Sequence, residues 1–145
     1  MNQIKLNISG GHKATKNIKR TGAFTVSIAD STHVIESDYF GITSGNTTKD
    51  KFEKSGMHAV KSENVNAPII EEYPVCMECT LAENEEGYGI LGNVVDVSVD
   101  ENYLDADGKV NVEAIKAIAY DSFNHDYYEI GKKVGKAFSD GKKLI

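Results

Sequence analysis

The stretch IKLNISGGHKATKNI, residues 4–18, decides how the rest of the chain is read. Ile4, Leu6 and Ile8 alternate with Lys5, Asn7 and Ser9, the period of a half-buried strand. Gly10 and Gly11 break the alternation, and Ala14 and Ile18, four apart, share one face of a short helix. Gly22 stands where that helix stops, in the position just past its end where a left-handed backbone is easiest for glycine. Between strand and helix lie two glycines, a histidine, a lysine and a threonine, which either cradle a phosphate or only turn the chain. Neither of the two well-known phosphate patterns fits. Gly11-His12-Lys13-Ala14-Thr15 lacks the Gly-Lys-Ser/Thr run of a P-loop, and the dinucleotide G-x-G-x-x-G is absent. Two readings remain. One is a simpler anion site made of helix N-terminal N–H groups with hydroxyl, imidazole and ammonium donors beside them, and the other is a capped loop.

Further along, AFTVSIA (23–29) reads as a second strand, with Phe24, Val26 and Ile28 on one face and only small side chains on the other. Asp30, Ser31 and Thr32 are N-cap residues for a helix through HVIESDYFGI (33–42). SGNTTKD (44–50) is a loop in which Thr47 or Thr48 would cap a short DKFEK helix that Gly56 ends. Strands then predominate: around MHAVKS (57–62), in VCMECTLA (75–82), in YGILGNVVDVSVD (88–100) with Gly92 as a candidate bulge, and in IKAIAYD (115–121) with YYEIGKKVG (127–135). The helices cluster early and do not alternate regularly with strands. This predicts a mainly β domain, a barrel or sandwich with short helical insertions, and not a doubly wound sheet.

The 145 residues, 40% hydrophobic and 26% charged, suffice for one domain spanning 1–145 with its own core. Sixteen Lys and Arg against 22 Asp and Glu give a formal charge of -6, which disfavours broad electrostatic capture of nucleic acid. No run is long and apolar enough to span a membrane, and the first residues lack the apolar core of a signal peptide, so the expected location is cytoplasmic. Cys76 and Cys79 form a C-x-x-C, but strand alternation points residues three apart to opposite faces, where they share neither a metal nor a short disulfide. They read as buried strand cysteines. LDADGKVN puts its glycine in the wrong place for a calcium loop and reads as a tight turn. His33, His58 and His125 have no companions at ligand spacing, and the lysine-rich C-terminal stretch reads as a solvated tail.

Taken in order, SGGHKATKNI, TGAFTVSIAD, DYFGITSGNTTKDKFEKSG, VNAPIIEEYPVCMEC, GNVVDVSVDE and GKAFSDGKKL resemble the flavin reductase-like, flavoredoxin-type family of FMN-binding split-barrel proteins. The resemblance runs from Gln3 to Leu144. It implies a Greek-key β-barrel that forms a homodimer, with FMN at the dimer interface and its phosphate beside an H-x-T-x-x-N-I segment, here His12, Thr15, Asn17 and Ile18. On that resemblance Thr15, as an exposed loop hydroxyl, and the N–H groups ahead of the helix hold phosphate oxygens. His12 and Lys13 balance charge, and Asn7 and Ser9 face the ribityl chain or ring. Ser44, Gly45, Asp50 and Lys51 match an S-G…D-K-F block near the flavin. The implied function is an FMN-dependent oxidoreductase passing electrons between a nicotinamide nucleotide or protein donor and an acceptor, with NAD(P)H docking transiently. Flavin chemistry would account for the lack of a catalytic triad, because the ring itself accepts hydride. The alternative is a non-catalytic split-barrel binding or dimerisation module. Family members carry a further N-terminal segment, so the chain is expected to be a natural short form, a misassigned start or a fragment, with a first strand that lacks its neighbours.

Overall fold

The alternation at the start of the chain becomes β1 (Gln3–Leu6), and the Ala14/Ile18 face becomes α1 (Lys13–Thr21), in a computed structural model that describes residues 2–82 and 89–145. Gly22 ends α1 in the left-handed region, at φ 69°, with its N–H on the Ile18 carbonyl at 2.8 Å. β2 (Ala23–Ser27) follows. Asp30 then caps a 3-10 turn by accepting from the amides of Thr32 and His33, and the turn leads into α2 (Val34–Ile42). α3 (Lys51–Ser55) stops at Gly56, φ 71°. The remaining elements are β3 (Ala59–Lys61), β4 (Pro68–Ile70), β5 (Val75–Leu81), β6 (Ile90–Val99), α4 (Val112–Ile115), β7 (Ile118–Asp121) and β8 (Asp126–Glu129).

The main sheet is antiparallel in the order β1-β6-β5-β2, with β3-β4 and β7-β8 as separate hairpins. Strands β2, β5 and β6 are successive neighbours and β1 lies beside β6, which is Greek-key order, and α1 carries the chain from one edge strand to the other. Ile18 of α1 is thereby buried with Phe24, Cys79 and Ile90, and Leu6, Val26 and Met77 pack around them. This is the expected mainly β architecture with short helices.

Gly92 is not a bulge. A Cβ on it would lie 2.3 Å from Cζ of Phe24, so the glycine makes room for that ring. The register instead slips between Glu78 and Cys79, which face Asp96 and Val94 and leave Val95 as the extra residue of β6. Cys76 and Cys79 are free and buried, and only Cys79 joins the core cluster, as alternation requires. On the other face Glu78, 3% exposed, accepts from Ser62 Oγ and from Asn64 Nδ2, tying the β3–β4 loop to the sheet.

Several boundaries differ from the sequence reading. β1 ends at Leu6, opposite Ile90, because Gly89 turns away at φ 107°. The expected start of β6 at Tyr88 lies outside the described residues. The strand expected from Ile115 begins only at Ile118, because Val112–Ile115 close into α4 under an Asn111 cap and Lys116 is left-handed at φ 53°. Its partner ends at Glu129, which already pairs with Ile118, so among the described residues Ile130 to Gly135 meet no strand. Neither Thr47 nor Thr48 caps α3: both amides close a turn on the Ser44 carbonyl. The LDADGKVN segment is a turn, Asp105 accepting from the amides of Asp107 and Lys109 with Gly108 at φ 73°.

Candidate functional site

α1 opens without a side-chain cap. His12 occupies the cap position in extended conformation and makes no capping bond, and the amides of Lys13, Ala14 and Thr15 donate to no acceptor among the described residues. Three N–H groups and the positive end of a nine-residue helix are therefore left for an external acceptor.

The loop after α2 lies against this helix end. Asn46 Nδ2 donates to the Gly11 carbonyl at 2.9 Å, and Asn46 Oδ1 accepts from Lys16 Nζ at 3.2 Å. Gly45 sits so close that a Cβ would lie 3.3 Å from that of Lys13, a contact that a side chain there could make only if the loop or Lys13 gave by a few tenths of an ångström. Ser44 shapes the loop through its hydroxyl, which accepts from the Asn46 amide, and through its carbonyl, which accepts from Thr47 and Thr48. Lys51, the first residue of α3, reaches back to donate to the Phe40 carbonyl at 2.7 Å and stands 5.6 Å from the centre of the Phe40 ring. Phe52 stacks on the same ring at 12°. Partial burial pushes the Lys51 ammonium down from its ordinary pKa, since charge is less well solvated there. Among the described residues Lys13, Lys16 and Lys51 form no ion pair. His12, Lys13, Ser44, Gly45 and Lys51 thus line one cleft of about 550 Å³. Its chemistry, with unused amides, two ammonium groups and small residues at the rim, suits a phosphate monoester in an otherwise acidic chain.

Other expected residues lie elsewhere. Asn7, Ser9 and Thr15 line a neighbouring depression with Gly10 and Lys19. Thr15 is not an exposed loop hydroxyl: it is 2% exposed, and Oγ1 donates to the Ser9 carbonyl at 2.7 Å, closing the β1–α1 loop from below. Asp50 turns from the cleft to Lys54, 3.0 Å away, whose hydrogen bond lowers the carboxyl pKa. Asn17, Asn46, Lys16 and Phe40 share or shape the cleft without having been singled out as ligands. Asn17 already stood in the H-x-T-x-x-N-I segment, whereas Asn46, Lys16 and Phe40 carry no spacing signal of their own.

The family model described as "Flavin reductase like domain" matches residues 4–114. Among solved structures, the flavoredoxin of Desulfovibrio vulgaris (Miyazaki F) superposes with a TM-score of 0.90 at 33% identity, covering 96% of this chain and 75% of that one. A flavoredoxin from Methanosarcina acetivorans gives 0.85 at 25% identity, over 99% and 75%. For the fold alone, the FMN-binding domain of a flavin reductases-like enzyme from Shewanella baltica gives 0.79 at 12% identity, over 92% and 73%. No curated protein matches the chain. The sheet described above is thus that of a split barrel, and among the described residues no helix is long and apolar enough to cross a membrane.

Proposed function

Because the chain belongs to the flavin reductase-like domain family, with a flavin-related oxidoreductase role, we propose that it binds FMN in the cleft at the start of α1 and relays electrons through it. The observation that carries this reading is the uncapped first turn of α1, with free amides at Lys13, Ala14 and Thr15, of which Lys13 and Ala14 line the cleft shared with Lys51 and the Ser44–Asn46 loop. The amides donate to the phosphate oxygens at the positive end of the helix, and Lys13, Lys51 and His12 balance its charge. Gly45 keeps the loop close enough to cover it, and Asn46 holds loop and helix together. Asn7 and Ser9 face the ribityl chain or ring. Thr15 acts from below, by fixing the Ser9 carbonyl.

FMN, when bound, supplies the hydride and electron chemistry, so the chain's own residues bind, orient and screen it. The donor is a nicotinamide nucleotide, NAD(P)H docking transiently, or a redox protein, and the working unit is a homodimer. The division of the expected ligands between two depressions favours one second reading, a split-barrel module without turnover. A visible spectrum of the purified protein, followed by FMN titration with flavin fluorescence as the readout, separates the two. Saturable binding and reduction of bound flavin by NAD(P)H or dithionite support the first, and a colourless protein that ignores added FMN selects the second.

A further inference from the structure

The phosphate cleft uses α1 only as far as Asn17. Farther along the helix, between it, the start of β2 and the β3–β4 hairpin, lies a second cavity of about 570 Å³, within the range of about 300–1,000 Å³ that small-molecule sites span. Ile18 and Phe24 line it from α1 and β2, and Val60, Ala67 and Pro68 line it from the hairpin. The hairpin is held in place by the chain itself. Thr25 Oγ1 donates to the Pro68 carbonyl at 2.6 Å, tying β4 to β2, and the Ser62 amide donates to the Ala67 carbonyl at 3.1 Å, closing the loop. The buried Glu78 carboxylate holds that loop from β5, accepting from Ser62 Oγ and Asn64 Nδ2. The cavity is therefore preformed, and a ligand entering it need not order the chain.

The polar groups around these apolar walls give the class of ligand. Arg20 and Lys61 line the cavity and no carboxylate does, in a chain where acid outnumbers base 22 to 16. Arg20 is the chain's one arginine, and neither it nor Lys61 forms an ion pair among the described residues. The side chains of Asn17 and Asn66 are also in the lining and, unlike those of Asn46 and Asn64, make no hydrogen bond among the described residues. A guanidinium fork meets a carboxylate through two parallel hydrogen bonds, and an ammonium beside it adds charge without fixing direction. A bare anion would leave the apolar walls in contact with water, and an uncharged apolar ligand would leave both cations without a partner. An acid with an apolar body satisfies both.

We propose that this cavity binds a small aromatic carboxylate, its ring against Phe24, Val60 and Pro68, its carboxylate facing Arg20 and Lys61, and any polar ring substituent turned to Asn17 or Asn66. Ala14 and Asn17 also line the phosphate cleft, so the two sites meet on one helix. The acid needs no flavin to bind, and its site is tested apart from flavin binding.

Isothermal titration calorimetry of the full apo chain with naphthoate gives the affinity. Acetate, which has the charge without the ring, and naphthyl methanol, which has the ring without the charge, are the comparators, and amide shifts of the isotope-labelled chain locate the site. Naphthoate is expected to bind saturably, at least about tenfold more tightly than either comparator, a gap of about 1.4 kcal/mol. The shifted amides should fall in residues 17–25 and 59–67, around the cavity. Arg20→Gln should weaken binding at least about tenfold, and Arg20→Lys by less, since lysine keeps the charge and loses the fork. Lys61→Gln should weaken it at least about threefold, and Lys109→Gln, outside the cavity, should not change it. All three positions are exposed, and unchanged melting temperatures show that the variants fold. Absence of saturable naphthoate binding, a comparator that binds as tightly, shifts gathered instead at residues 11–13 and 44–51, or Arg20→Gln and Lys61→Gln proteins that bind as wild type does would each overturn the proposal. Naphthoate binding by a chain that ignores FMN sustains it while the flavin reading fails.

Discussion

Replacing Gly92 by alanine tests the interlock at the centre of the sheet. The added Cβ would lie 2.3 Å from Phe24 Cζ, 2.7 Å from Cε1 and 3.3 Å from Cys79 Cβ, where carbon atoms settle at about 3.5–4.0 Å. The ring must therefore move by more than an ångström, and it is 4% exposed in a cluster with Ile18, Cys79 and Ile90 that leaves it little room. Overpacking of this kind costs about 1–3 kcal/mol, and alanine recovers at most about 1 kcal/mol through the unfolded chain. A net loss of about 2 kcal/mol in a chain of this size lowers Tm by about 4–8 °C. Urea denaturation of wild type, Gly92→Ala, Phe24→Leu and the double variant closes a thermodynamic cycle. Because leucine removes the ring atoms that the new methyl meets, the double variant should lose less than the two single losses added, by about 1 kcal/mol or more. Strict additivity, or a Gly92→Ala protein as stable as wild type, would refute the claim that this glycine exists for the Phe24 ring.

Lys51→Met should weaken FMN binding by about 10- to 100-fold, the worth of a charge-assisted bond, with little change in melting temperature, and fluorescence titration beside a thermal melt checks both. Burial lowers the Lys51 pKa, so the folded chain holds that proton less tightly than the unfolded one. The charged amine therefore opposes folding, and the penalty lifts as pH rises through the lowered value, whereas FMN needs the charged form. Wild-type affinity should fall on entering the alkaline range earlier than that of Lys51→Met, and parallel pH profiles would remove Lys51 from the site. Thr15→Val should cost about 1 kcal/mol of stability by freeing the Ser9 carbonyl, and a melt unchanged from wild type would contradict the buried bond. Cys76→Ser together with Cys79→Ala should leave flavin reduction rates unchanged, any loss appearing as stability, since the thiols lie on opposite faces with pKa values raised by burial. A folded double variant unable to exchange electrons would revive a dithiol relay.

Local chemistry was the most legible part of the sequence. Gly22 and Gly56 end helices where glycine alone is unstrained, and alternation alone separates Cys76 from Cys79. Partner-dependent features were not. Ile130 to Gly135 have the composition of a strand and, among the described residues, no strand to pair with, and Gly92 looks like a bulge until Phe24, 68 positions earlier, is known to face it. The site divides the same way. The free amides follow from a helix beginning behind two glycines, but the contact of the Ser44–Asn46 loop with Gly11 and Lys16 joins segments about thirty residues apart that no periodicity connects. The family resemblance brought those segments together, and it could not say that Thr15 would be buried, because that depends on where the Ser9 carbonyl points.

The central claim is that the first turn of α1 takes the phosphate of a flavin mononucleotide. The most direct measurement compares the affinity of the purified apo chain for FMN and for riboflavin, which lacks only that phosphate, at low and high salt. If the amides of Lys13, Ala14 and Thr15 and the lysines beside them hold the phosphate, FMN binds at least about tenfold more tightly, a gap of about 1.4 kcal/mol, and the gap narrows as salt screens the charge. Equal affinity for the two, or a gap indifferent to salt and to Lys51→Met, would place the phosphate elsewhere and contradict the account.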